Sequence, residues 1–253
     1  MTGATLYDRA FHDEIGIDAA SSAKVVVPLV LDLLGPVSAV IDVGCSRGVW
    51  LAEYRAAGVG RCIGLDGDYV ARDQLLIPPH DFLAADLGQR FVVKAPFDLA
   101  MSLEVAEHLP KERAMSFVGD LVALAPIVLF SAAVPGQLGA GHVNETWPDT
   151  WVARFRAHGY EVIDALRSTI WTDRRVAWWY RQNLLLFATA DAIAARPALA
   201  EAAARTDRNR LSVVHPELFT SRMNSLLNAM HRMAGAEKEL AELKAAAGSA
   251  SGS

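Results

Sequence analysis

The chain predicts an α/β protein built on a parallel sheet with helices on both faces. Short, fully apolar runs alternate with segments whose apolar residues recur at helical spacing, glycines close several of the runs, and a length of 253 residues suits one large domain or a domain with an appendage. Segment 18–34 carries Val26, Leu29, Val30, Leu33 and Leu34 at helical spacing and stops at Gly35-Pro36. Ser38–Val43 then reads as a buried parallel strand, 48–57 as a helix ended by Gly58, and Arg61–Asp66 as a second strand. Asp81–Asp86 and Phe97–Leu103 supply a third and a fourth strand. A helix over 111–124, strand Ile127–Phe130, a helix over 149–158 and two late strands, Glu161–Leu166 and Asn183–Ala188, complete the pattern. This sets a domain over 1–190, a helical appendage over 191–246 and a disordered Gly/Ser/Ala tail over 247–253. In the appendage Phe219, Met223, Leu226, Met230, Met233 and Leu240 fall three and four apart with one missed turn. That pattern suits a helix packed on the domain, or a seam joining two copies into a homodimer.

Composition narrows the class. Apolar residues make up 52% of the chain, enough for a sizeable core. A net charge of -5 removes the global positive field that gathers nucleic acid, so a nucleic-acid partner is disfavoured. The two cysteines, Cys45 and Cys62, match no zinc or disulfide spacing, and free thiols suit a reducing, cytoplasmic setting. The first residues lack a basic region followed by an apolar stretch, which predicts no signal peptide. Pro126 breaks the run 121–134 and Asp32 the run before it, so no membrane partner is expected.

The first strand ends in Asp42-Val43-Gly44-Cys45-Ser46-Arg47-Gly48, and a helix follows at once. Glycine allows close approach of a ligand to the backbone, and the helix start offers free N–H groups. Strand two ends in Asp66, 24 residues after Asp42, a distance that suits an acid bonding ribose hydroxyls. A dinucleotide oxidoreductase would use Gly-x-Gly-x-x-Gly to receive a pyrophosphate; here Ser46 stands in place of the middle glycine. The anionic Asp42 also repels a pyrophosphate.

Residues 38–109 resemble the class I methyltransferases that use S-adenosylmethionine (SAM). The resemblance rests on the acid-x-Gly-x-Gly-x-Gly loop with one substitution at Ser46. It also rests on Asp66 as ribose acid, Asp86 in Ala85-Asp86-Leu87 as the acid near the adenine amine, and the strand Asp98–Glu104. It implies a Rossmann-like, seven-stranded, mostly parallel sheet with an antiparallel last strand. It also implies SAM bound by Asp42, Gly44, Cys45, Gly48, Asp66, Gly67, Asp86, Leu87 and Leu103. The cationic amino-acid part of SAM suits Asp42. Tyr7-Asp8-Arg9-Ala10-Phe11-His12 is placed to form a lid over SAM, or is a frayed terminus.

After strand four come Glu104-Val105-Ala106-Glu107-His108-Leu109-Pro110, at the sheet edge where open α/β folds bind ligands. A helical turn would put Glu104, Glu107 and His108 on one face. Many metal-free methyltransferases carry a similar Glu-His-Leu. The same residues also suit a divalent metal, Mg or Mn, with His142 of Gly141-His142-Val143-Asn144-Glu145 as fourth ligand or catalytic base. The arrangement is similar to that of small-RNA 2′-O-methyltransferases, which implies metal ligation by Glu104, Glu107, His108 and His142. His108 and His142 are the candidate catalytic residues, since a sugar hydroxyl needs a base to accept its proton.

Trp171, Trp178, Trp179 and Tyr180 sit beside Arg174, Arg175, Arg181, Gln182 and Asn183, with Trp147 and Trp151 upstream. They cover the sheet or, in part, meet a sugar. The stretch 7–188 resembles bacterial sugar O-methyltransferases, among them the mycobacterial enzymes of methylmannose oligosaccharide synthesis. The expected activity is therefore metal-assisted O-methylation of a sugar or oligosaccharide. The alternatives are RNA 2′-O-methylation, a metal-free small-molecule methyltransferase, an NAD-dependent oxidoreductase, and a non-catalytic SAM-binding scaffold.

Overall fold

The computed structural model describes residues 9–94 and 96–250, with side chains described over 17–94 and 96–243. Its elements in chain order begin with α1 (Arg9–Leu34), β1 (Ala39–Val43), α2 (Val49–Ala56), β2 (Arg61–Asp66), β3 (Phe82–Ala84) and β4 (Leu99–Leu103). They continue with α3 (Ala114–Val122), β5 (Ile127–Ser131), α4 (Pro148–Arg156), β6 (Tyr160–Ile163), α5 (Arg167–Ile170) and α6 (Trp178–Asn183). The last are β7 (Leu185–Thr189), α7 (Ala190–Ala194), α8 (Pro197–Arg205) and α9 (Pro216–Ala250).

One seven-stranded sheet has the order β3-β2-β1-β4-β5-β7-β6. β1 pairs in parallel with β2 and β4, and β3 and β5 extend the parallel part outward. β7 runs antiparallel between β5 and β6, as the expected last strand does. The strand runs are apolar throughout because both faces are covered. Side-chain alternation divides them between two cores. Leu99, Met101, Ile127, Leu129 and Leu186 join Val26, Val30, Leu51 and Tyr54 on one face. Ile41, Ala100, Val128, Phe130 and Phe187 join Phe117, Leu121, Trp151 and Phe155 on the other.

Three boundaries differ from the sequence expectation. Residue 183 ends α6 rather than opening the last strand, which starts at Leu185. The chain divides into two units at Val213 and Val214, later than position 191. The Ala-rich α8 stays with the sheet domain because Leu199 is fully buried and Arg196 Nε donates to Leu34 O at 3.1 Å. α9 runs as helix to Ala250, through part of the segment expected as a disordered tail. Of the expected lid, Tyr7 and Asp8 lie outside the described residues, and 9–12 are described only as the first turn of α1. No helix among the described residues is long and apolar enough to cross a membrane.

Candidate active site

The cofactor half of the site sits at the carboxyl ends of β1 and β2. Gly44 takes φ +90°, and a Cβ there would stand 2.2 Å from Val105 Cγ2, so only glycine lets the loop close onto the turn after β4. Gly48 caps α2 with φ +81°. Ser46 has φ +49°, the left-handed conformation that a glycine would adopt. The departure from the glycine pattern therefore keeps the loop's shape. Ser46 N–H donates to Asp66 Oδ2 at 2.6 Å, which ties the loop to strand two.

Asp66 is buried, and its other oxygen accepts from Gly67 N–H and Tyr69 Oη, each at 2.6 Å. Tyr69 was not singled out in the sequence; an aromatic three residues after the ribose acid is the signal. Asp42 is 2% exposed, and burial pushes its carboxyl up to about 8, with the charge of Asp66 adding to the rise. Burial likewise keeps the Cys45 thiol protonated. Asp86 is exposed and accepts from Gly88 N–H at 2.9 Å, while Leu87 and Leu103 are core residues on opposite faces of the sheet.

The second half lies at the ends of β4 and β5. Glu104, Glu107 and His108 do not share one helical face. Glu104 has φ +55°, and only Ala106–His108 form a single 3-10 turn. The left-handed residue breaks the helical path, yet the Glu104 carboxyl still lies beside that of Glu107. The Glu104 carboxylate accepts from Gln137 Nε2 at 2.7 Å and Asn183 Nδ2 at 3.1 Å. Gln137 Oε1 in turn accepts from Asn183 Nδ2 at 2.9 Å, which fixes which way the Gln137 amide points. Burial raises Glu104 above the usual carboxylate range, while bonds from Asn183, Ser131 and Gln137 pull it back.

Glu107 is fully buried; among the described residues no donor meets its carboxylate oxygens at good hydrogen-bond geometry, although the backbone N–H of Ala133 and the Glu104 carboxyl lie close enough to act on it. Burial, and then the charge of Glu104, raise its carboxyl well above normal. One ligand atom each from Glu107, His108 and His142 lies within 4.8 Å of the others, a group able to hold a metal ion. The His108 and His142 rings meet edge-on at 4.8 Å. Burial, then the neighbouring His142, lower His108 to about 4, so it is neutral and ligand-competent near pH 7.

The loop after β5 is built to deliver His142. Glu145 accepts from Gly136 N–H at 2.8 Å and Leu138 N–H at 2.6 Å, and its Oε1 lies 2.9 Å from His142 Nδ1. That contact assigns the proton to Nδ1 and leaves Nε2 free as a base or ligand. Gly139 makes room for the ring, since a Cβ there would meet His142 Nε2 at 2.2 Å. Val143 N–H and Asn144 N–H donate to Glu107 O at 2.8 and 3.0 Å, and Asn144 Nδ2 donates to Ala106 O at 3.2 Å. These bonds latch the loop onto the 104–108 turn.

The aromatic segment divides. Trp151 is core, whereas Trp147 is 41% exposed. Tyr180 packs edge-on against Trp50 of α2 with centroids 5.2 Å apart, and Ala177 N–H donates to Ser22 Oγ of α1 at 2.9 Å. These contacts hold α6 so that Asn183 reaches Glu104. Arg175 pairs with Asp173 at 2.6 Å, and Arg181 is buried and donates to Trp171 O.

No family model and no curated protein matches the sequence. Solved structures do. DesVI from Streptomyces venezuelae aligns over 75% of this chain and 99% of its own, at TM-score 0.54 and 18% identity. CalS10, a SAM-bound amino pentose methyltransferase from Micromonospora echinaspora involved in calicheamicin biosynthesis, aligns over 73% and 98%, at 0.52 and 16%. Magnesium protoporphyrin IX methyltransferase from Synechocystis with bound SAH aligns over 73% and 89%, at 0.50 and 18%. The chain has the methyltransferase fold. In that fold the glycine loop and the Glu104–His108 turn share the carboxyl edge of the sheet, and the contact between Gly44 and Val105 joins them here.

Proposed function

We propose that the chain is a SAM-dependent O-methyltransferase acting on a hydroxyl of a sugar, oligosaccharide or glycoside, with a divalent metal such as Mg or Mn at the acceptor. The observation that carries this reading is the Glu107 carboxylate. It is fully buried, no donor among the described residues meets it at good hydrogen-bond geometry, and it lies beside two imidazoles. A buried carboxylate in that setting costs several kcal/mol unless it is neutralised or meets a cation. Glu107 and His108 fit a divalent ion as ligands, with His142 Nε2 near enough either to complete that set or to stay uncoordinated as a base, and Glu104 lies at the same edge, held by amides.

SAM would supply an electrophilic methyl group. Asp42, the glycine loop from Gly44 to Gly48, Asp66 with Gly67, and the Asp86-Leu87 turn would hold it, as the resemblance implies. The metal, when bound, supplies a Lewis acid that makes a hydroxyl more acidic. Where it is not itself a ligand, His142 would accept the hydroxyl proton at Nε2, because Glu145 holds Nδ1; the two roles exclude each other, since one lone pair serves both. The rigid loop from Gly136 to Glu145 orients that base, and positioning supplies much of the rate of an in-line displacement. The sugar assignment draws on the amino pentose activity named for CalS10 and on the acidic net charge, which disfavours RNA. A second copy of this chain, met through α9, is the proposed protein partner.

The test is methyl transfer from radiolabelled SAM to pooled sugars, glycosides and short RNA, with EDTA and with added Mg or Mn. The expected result is a labelled carbohydrate only with metal. Full turnover in EDTA removes the metal from the reading, and label on RNA alone replaces the acceptor class.

A further inference from the structure

α9 is a 35-residue helix whose large apolar side chains stand in solvent. Met223 is 38% exposed, Leu226 52%, Met230 56%, Met233 65%, Leu240 52% and Leu243 62%. The spacing explains the missed turn in the sequence pattern. Ala236, also exposed, fills it, and from Met223 onward the stripe becomes Met223, Leu226, Met230, Met233, Ala236, Leu240 and Leu243, with Phe219 one step of four before it and exposed Leu227 beside it. The steps are 3, 4, 3, 3, 4 and 3 residues, a series that reads the same in both directions about Met233. A regular heptad would alternate 3 and 4 throughout. The two successive steps of 3 break that phase at one place, centred on Met233.

We infer that two copies of this chain associate through α9 as an antiparallel pair with the two-fold axis at Met233. The inference rests on the self-association reading and not on the methyl-transfer reading. An antiparallel two-fold places every stripe residue opposite another member of the stripe. Met223 meets the other copy's Leu243, Leu226 meets its Leu240, Met230 meets its Ala236, and Met233 meets Met233. The phase break falls on the axis, where both helices share it symmetrically. Large Met230 lies over small Ala236, so the layers keep similar volume, whereas a parallel pair would stack Met230 on Met230 and leave Ala236 facing Ala236.

Charge selects the same polarity. Before the axis the helix carries Arg222 and Arg232 against Glu217, a net +1; after it come Glu237, Glu239 and Glu242 against Lys238 and Lys244, a net -1. Antiparallel packing sets the basic half of one copy beside the acidic half of the other, while parallel packing sets like beside like. It also opposes the two helix dipoles. The paired stripe spans ~30 Å at 1.5 Å per residue, the length of a short stable coiled coil.

The experiment combines sedimentation equilibrium with oxidative cross-linking of the full chain. Cys45 and Cys62 are buried, and the unsubstituted chain gives the background. Dimer is expected, and Leu226→Asp with Leu240→Asp should convert it to monomer while the SAM-induced thermal shift persists. Met223→Cys and Leu243→Cys should each give little cross-linked dimer alone and abundant dimer after mixing and subunit exchange. Cross-linking of Met223→Cys with itself would establish a parallel pair and overturn the inference, as would a monomer at every concentration.

Discussion

The two halves of the candidate site meet the same physical problem, a buried carboxylate, in opposite ways. In the cofactor half both oxygens of Asp66 accept bonds, from Ser46 N–H, Gly67 N–H and Tyr69 Oη. In the acceptor half Glu107 is as deeply buried, and among the described residues no donor meets it at good geometry. The first half satisfies its buried carboxylate within its own polypeptide. The second leaves an anionic group whose cost is relieved only by a proton or a cation. The proposal places a divalent cation at this carboxyl, beside the imidazoles of His108 and His142.

The largest expected effect comes from removing that asymmetry. Glu107→Gln should lower metal-supported turnover on the order of 100-fold or more and abolish Mn binding. The same change should leave the metal-free protein as stable or up to about 1 kcal/mol more stable, because the buried carboxyl no longer has to hold a proton and the new amide can donate to Glu104. Denaturant melts with EDTA read the second effect. A loss of both activity and stability would mean that Glu107 is a structural residue.

His142→Ala should cost on the order of 10²–10³-fold in turnover while SAM binding stays unchanged. Gly139→Ala should approach the same loss, since its Cβ would displace the His142 ring. Steady-state rates beside SAM titrations separate the two halves, and a parallel fall in SAM affinity would merge them.

The cofactor half responds to pH through Asp42. Its folded-state pKa of about 8 lies above the ordinary value of 3.8, so its contribution to stability is present below 3.8 and lost as pH rises through 8. A cationic ligand needs the ionised form. SAM affinity should therefore strengthen with pH, by up to about tenfold per unit below the folded pKa, and level off above it. Calorimetric titration from pH 6 to 9 measures this, and Asp42→Asn should flatten the profile.

The smallest effect should come from Ser46→Gly. It removes a left-handed non-glycine residue and should stabilise the fold by about 1 kcal/mol or less, with SAM affinity little changed. A large loss of affinity would show that the Ser46 side chain itself contacts the cofactor.

The two halves were unequally legible in the sequence for a related reason. The cofactor loop is contiguous from Asp42 to Gly48, and Asp66 follows at a fixed strand-to-strand distance, so spacing alone announces it. The acceptor half is assembled from residues 104–108, 136–145 and 182–183, which the sheet brings together. Its charged members were visible because Glu104, Glu107 and His108 fall within five residues and His142 stands between glycine and Glu145. Gln137, Asn144 and Asn183 were not, because a buried amide has no spacing signature and gains meaning only from its distant partner. The φ of +55° at Glu104 was equally hidden; helical spacing put it beside Glu107 and His108 on one face, and the backbone turns it toward Gln137 and Asn183. The same limit held in α9, where Ala236 is too small to mark a stripe until the exposure of its neighbours is known.

The most direct measurement is Mn titration by calorimetry on EDTA-stripped protein near pH 7.5, with and without SAM, for the wild type and Glu107→Gln. One site is expected in the wild type, lost in Glu107→Gln while SAM still binds. No binding to the wild type, or equal binding to both proteins, would mean that Glu107, His108 and His142 do not form a metal centre.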